Sequence, residues 1–161
     1  MGWLPEPVER LLEVALVGEL TVVRGGRPIT HPLIPLYDGD HLYLHSSTLF
    51  SKKLEHIKRN PRVALALTDP VAMKGNTDRA TIQGTARVIE DDPHADWERL
   101  ILGLWRRKEP AIDDFLKARV ALPLFFERSV IEVTPERCLY WAAGDTSRPP
   151  AVTTSHAREA A

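Results

Sequence analysis

The chain has 161 residues, with 21 Lys and Arg against 22 Asp and Glu, a formal net charge of −1. Apolar residues make up 43% and charged residues 27%, the balance of a soluble globular domain, and the length suits one domain whose core needs no staples. Near-neutral charge argues against a nucleic-acid partner held by a basic face, the single Cys138 excludes an internal disulfide, and no apolar run approaches the roughly 20 residues of a membrane span.

The first ten residues lack a basic region followed by an apolar run, so no secretory signal is expected and a reducing cytoplasm is the expected compartment. Pro5 and Pro7 suit a first helical turn, and Leu4, Val8, Leu11, Leu12, Ala15 and Leu16 then share one helical face, with Gly18 as the expected stop. A short strand over 20–24 meets a Gly25-Gly26 turn. Residues 29–37 read as a strand holding Pro32 and Pro35, which must be an edge, bulged, or open on one side. Asp38-Gly39 signals a hairpin into a return strand over 41–46. A polar loop over 47–51 leads to a short helix over 51–59, stopped by Asn60-Pro61. The apolar run 62–68 predicts a strand covered on both faces. Residues 79–90 alternate, and Gly84 marks a bulge or a close approach.

Asp92 can cap a helix that opens on Pro93 and carries the stripe Trp97, Leu100, Ile101, Leu104 and Trp105. The basic run 106–108 closes it, where cations suit the dipole. Ile112, Phe115, Leu116 and Val120 suggest a second helix. Two strands, 125–133 and 137–141, are expected to close the domain, joined at Thr134-Pro135-Glu136. From Gly144 the composition turns small and polar, which reads as a loosely held tail. Hairpin-linked strands with few helical crossovers predict a mainly β, α+β fold: an antiparallel barrel decorated by helices.

The densest polar segment contains His45, Ser46, Ser47, Thr48, Ser51, Lys52 and Lys53. Hydroxyls ending a strand and lysines opening a helix suit a phosphate, because helix N-terminal N–H groups point outward and the dipole favours an anion. The alternative is a solvated loop with an ordinary cap. None of the six histidines has a metal-ligand spacing such as H-E-x-x-H, so no metal site is expected, and no paired carboxylates or nucleophile motif assign a catalytic residue. Cys138, between apolar neighbours, reads as a small buried hydrophobe. The tryptophan stripe reads as core or subunit contact, with a substrate lid as the alternative.

Gly26-Arg27-Pro28, Pro32-Leu33, Asp38-Gly39, the run 42–46, Lys52-Lys53-Leu54, Asn60-Pro61-Arg62-Val63-Ala64, Gln83-Gly84-Thr85-Ala86 and Leu139-Tyr140-Trp141 occur in order. This set resembles the pyridoxamine 5′-phosphate oxidase-like family of flavin-binding split β-barrels over residues 8–141. The resemblance implies an antiparallel split β-barrel; with the pattern above, that domain is expected to span residues 1–143, with a two-helix insertion over 92–122 and a flexible tail over 144–161. It implies a homodimer that binds FMN at its interface and acts as an oxidoreductase on a small molecule. His45, Ser46 and Ser47 would lie near the ribityl chain and phosphate, with Lys52 and Lys53 as phosphate ligands. Pro32, Leu33 and Ile34 would run along the isoalloxazine and Gln83 near its polar edge. Tyr140 and Trp141 would reach the partner's flavin or form part of the dimer core. Lys52 stands where relatives commonly have Arg, giving a point charge in place of a bidentate fork. Other branches of the family use an 8-hydroxy-5-deazaflavin coenzyme or bind haem, which leaves a deazaflavin-dependent reductase and a non-catalytic flavin or haem carrier as alternatives.

Overall fold

The computed structural model describes residues 2–47, 51–117 and 128–155. Helix α1, Glu6–Val14, has Pro5 as its N-cap and Pro7 in its first turn, and buries Val8, Leu11 and Leu12. Each such fully buried aliphatic side chain contributes about 1.5–3 kcal/mol relative to exposure. The helix ends earlier than Gly18: Ala15 is already extended at φ −64°, ψ 116°, and Gly18 opens the first strand. A Cβ on Gly18 would lie 2.9 Å from Leu65 Cδ1, so this glycine serves packing, not termination.

Strands β1 (Gly18–Arg24) and β2 (Arg27–Leu33) form a hairpin. Its turn places Gly25 at φ 54° and Gly26 at φ 79°, the positive pair that matches strand twist. The expected single strand over 29–37 is broken in two. β2 stops at Leu33, Pro35 is buried in the gap, and β3 (Leu36–Tyr37) pairs with β4 (Leu42–Ser47) at the far side of the sheet. Proline's missing donor explains both outcomes: Pro28 and Pro32 are tolerated because β2 is an edge, and Pro35 ends it. In the β3–β4 hairpin, Asp38 Oδ1 accepts from the N–H groups of Asp40 and His41, both at 2.8 Å.

Helix α2 (Lys52–Arg59) precedes β5 (Arg62–Leu67) and β6 (Arg79–Ile89). β5 is covered fully on one face only. Val63, Leu65 and Leu67 are buried, whereas Ala64 and Ala66 are half-buried; the small side chains, not a second core, make the run look uniformly apolar. After β6, Asp92 caps α3 (Pro93–Trp97) by accepting from the Ala95 N–H. One wide π turn (Glu98–Leu102) joins α3 to α4 (Gly103–Lys108), and α5 (Ile112–Lys117) follows. The rest of the insertion, 118–122, lies outside the described residues, as does the start of the expected strand over 125–133.

The two expected closing strands are one, β7 (Arg128–Trp141). Thr134-Pro135-Glu136 is a bulge, not a turn: Gly84 faces Pro135 and Gln83 faces Arg137, leaving Glu136 as the extra residue. The Thr85 hydroxyl donates to the Glu136 carboxylate and ties the bulge down. β7 keeps β6 along one edge while its other edge passes from β4, before the bulge, to β8 after it. β8 (Ala151–Thr154) comes from the segment read as a tail. Its β-branched Val152, Thr153 and Thr154 suit the exposed edge of β7.

The resulting sheet runs β2-β1-β5-β6-β7-β4-β3, antiparallel throughout, with β8 added on β7. It curls into a split barrel. The main core fills the concave side, with α1 and α2 packed on it; a second cluster of Leu36, Tyr43, Trp97, Ile101 and Val130 lies under the helical insertion. Cys138 is buried in the main core, where desolvation pushes its thiol up to about 12. No helix among the described residues is long and apolar enough to cross a membrane.

Candidate functional site

Alternation along β4 decides which polar side chains meet. Leu42 and Leu44 point into the main core while Tyr43 points into the cluster under the insertion. Ser46 therefore faces the barrel interior, and His45 and Ser47 face the other way. His45 is buried against the edge of Trp105, with ring centroids 5.3 Å apart at 63°.

At the inner end of β4, α2 brings up Lys53. Its Nζ donates to Ser46 Oγ at 2.9 Å and to Ser51 Oγ at 3.3 Å, and the two hydroxyls lie 2.8 Å apart. Ser51 immediately precedes α2 but makes no side-chain cap; its hydroxyl serves this cradle instead. Lys52 and Lys53 point apart by about 100° around a helix: Lys53 is half-buried in the cradle and Lys52 is exposed. Thr48 lies outside the described residues.

His31 joins the same region. It stands opposite Leu20 in the β1–β2 register and so faces inward. Its affinity for a proton is lowered by burial first, then by Lys53, then by His56. His56, on the inner face of α2, is 8% exposed. No metal-ligand spacing singles these histidines out in the sequence. The available signal was their phase: His31 alternates with Ile29 and Leu33, and His56 sits beside Ile57 on the apolar face of α2.

The other expected residues lie elsewhere. Leu33 packs against the main core and Ile34 against the second cluster, whereas Pro32 is exposed on the convex face of the edge strand. Gln83 is exposed on that same convex face, between Ala64 and Arg137. Trp141, opposite Arg79, is also on the convex face and half-buried, while Tyr140 packs on the core and donates to Asp78 at 2.8 Å. Within one chain, then, Ser46 and Lys53 come together with Ser51 and His31; Pro32, Gln83 and Trp141 share the opposite face.

A separate cavity of about 490 Å³ lies between α1, the β3–β4 hairpin and α4. Lys108 lines it, and its Nζ donates to the Ala15 carbonyl at 2.7 Å and to the Pro35 carbonyl. Burial lowers its pKa to about 8. This lysine caps the C-terminal end of α1 and fastens the insertion to the barrel.

The Ser46–Ser51–Lys53 cluster offers hydroxyl and ammonium donors at the start of a two-turn helix, with an imidazole beside them. That donor set fits a phosphoryl group, which presents only acceptors. The model for the family described as pyridoxamine 5′-phosphate oxidase matches residues 4–142. A solved structure described as an F420 reductase is 28% identical, covering 84% of this chain and 98% of that one at a TM-score of 0.58. A conserved protein from Mycobacterium tuberculosis superimposes at a TM-score of 0.67, with 21% identity over 95% of this chain and 94% of that one. A Clostridium acetobutylicum protein related to general stress protein 26, of the pyridoxinephosphate oxidase family, gives 0.66 with 17% identity, covering 94% of each chain. No curated protein matches.

Proposed function

The chain belongs to the pyridoxamine 5′-phosphate oxidase family, and from that premise we propose that it is an FMN-binding oxidoreductase whose Lys53, Ser46 and Ser51 hold the flavin phosphate. The observation that carries this reading is the Lys53 ammonium shared between two hydroxyls at the head of α2. Lys53 neutralises the phosphate, and Ser46 and Ser51 donate to its oxygens. The α2 dipole adds attraction worth about 0.3–1 kcal/mol. When bound, FMN supplies the electron-transfer chemistry that side chains lack.

The convex face supports a second part of the proposal. Ala64 and Ala66 leave a shallow, half-buried strip beside Thr81 and Gln83. A second copy of the chain pairing over this strip would give a homodimer, with Pro32, Gln83 and Trp141 at its interface.

The resemblance to an F420 reductase favours a second reading, in which a deazaflavin coenzyme replaces FMN on the same phosphate cradle. Titrating apo-protein with FMN, riboflavin and the deazaflavin coenzyme separates the two. The flavin reading expects FMN to bind tightly and riboflavin weakly. Tight binding of the deazaflavin alone would transfer the assignment to the second reading.

A further inference from the structure

In β2 the half-buried positions are Ile29, His31 and Leu33, and the residues between them are exposed. An imidazole thus occupies a slot made for an apolar side chain. The inner face of α2 repeats this, with His56 beside Leu54 and Ile57. Two ring nitrogens, His31 Nε2 and His56 Nδ1, are sealed from solvent with no hydrogen-bond partner among the described residues. A buried polar atom left unsatisfied costs about 1–3 kcal/mol. Two such atoms beside Lys53 point to a ligand that completes the site.

The charged groups acting on His31 share one sign. From α2 these are Lys53 and His56, both disfavouring a proton on its ring; from β1 the facing residue is the apolar Leu20. Burial and these positive neighbours together lower the proton affinity of His31 below the usual histidine range.

We propose that His31 is a further recognition group of the Lys53 cradle, donating from Nε2 to the same phosphoryl group and making occupancy of the site fall as pH rises. The proposal rests on the phosphate reading above. A doubly charged phosphoryl group beside His31 reverses the local field and favours the imidazolium. Binding then takes up a proton, so affinity is greatest below the free protein's titration point and is lost as pH rises through the liganded protein's. A phosphomonoester itself titrates near pH ~6 and biases binding the other way. Comparing proteins with one ligand cancels that contribution.

The direct test follows the His31 Cε1–H resonance of the wild-type protein through a pH titration, with and without saturating inorganic phosphate. Phosphate should move its midpoint upward, and Lys53→Ala should abolish the movement. An unmoved midpoint overturns the proposal. In parallel, FMN affinity at about pH 5.5 and about pH 8 should fall roughly tenfold more in wild type than in His31→Gln, with riboflavin affinity the same in both. Equal pH profiles for FMN in the two proteins also overturn it. A phosphate response at His31 in a protein that never binds FMN sinks the flavin reading and leaves the histidine assignment standing. If His31→Gln does not fold, the wild-type resonance decides alone.

Discussion

A Cβ placed on Gly84 would lie 2.2 Å from the carbonyl oxygen of Thr134, where the bulge of β7 crosses β6. The obstacle is backbone, so no rotamer change relieves it. Gly84→Ala should therefore destabilise the fold by about 1–3 kcal/mol, the usual cost of overpacking. Urea melts read this directly. A loss below about 0.5 kcal/mol, the scatter of ordinary surface changes, would mean that the bulge tolerates a side chain.

The tryptophans of the insertion separate into two roles. Trp97 is 1% exposed within the cluster of Leu36, Tyr43, Ile101 and Val130, and Trp105 is half-buried over His45. Trp97→Ala should cost about 3–5 kcal/mol, and Trp105→Ala clearly less. Equal losses in denaturant melts would contradict this division.

Lys108 gives a pH signature. Its folded pKa of about 8 lies below the ordinary 10.5 because burial disfavours the charge. Between those values the unfolded chain holds a proton that the folded protein has released, so stability must rise with pH there. The penalty is fully present below the folded value. The stability of wild type relative to Lys108→Met should improve from about pH 7.5 to about pH 10. A flat difference would place Lys108 in solvent.

Cys138 is buried and its thiol is pushed up to about 12, so it should resist iodoacetamide in the folded protein at about pH 8 and react once the chain is unfolded. Stoichiometric alkylation without unfolding would show the main core to be open.

Much of this architecture was legible because local chemistry decided it. Gly25-Gly26 and Asp38-Gly39 form the expected turns, Asp92 caps α3, and Gly84 sits at a bulge. The misreadings arose where distant pairing outweighed local signals. Thr134-Pro135-Glu136 has turn composition, yet β6 holds it in a continuous strand. Residues 151–154 look like tail until the free edge of β7 after the bulge is known. The cradle was half legible. Composition marked Ser46 and Lys53, but only the phase of α2 separates Lys53 from Lys52, and only strand alternation separates Ser46 from His45. His31 and His56 were hidden because they are distant in sequence and come within electrostatic reach of each other only in the fold.

Lys53 is the residue on which the proposed phosphate binding at the head of α2 most depends. Titration of apo-protein with FMN, comparing wild type, Lys53→Ala and the Ser46→Ala/Lys53→Ala pair, tests this most directly. A charge-assisted contact of this kind is worth about 1.5–3 kcal/mol, so Lys53→Ala should weaken FMN by about ten- to a hundredfold. Riboflavin, which lacks the phosphate, should bind both proteins alike. Unchanged FMN affinity in the single and the double variant would contradict the account and remove the phosphate from the head of α2.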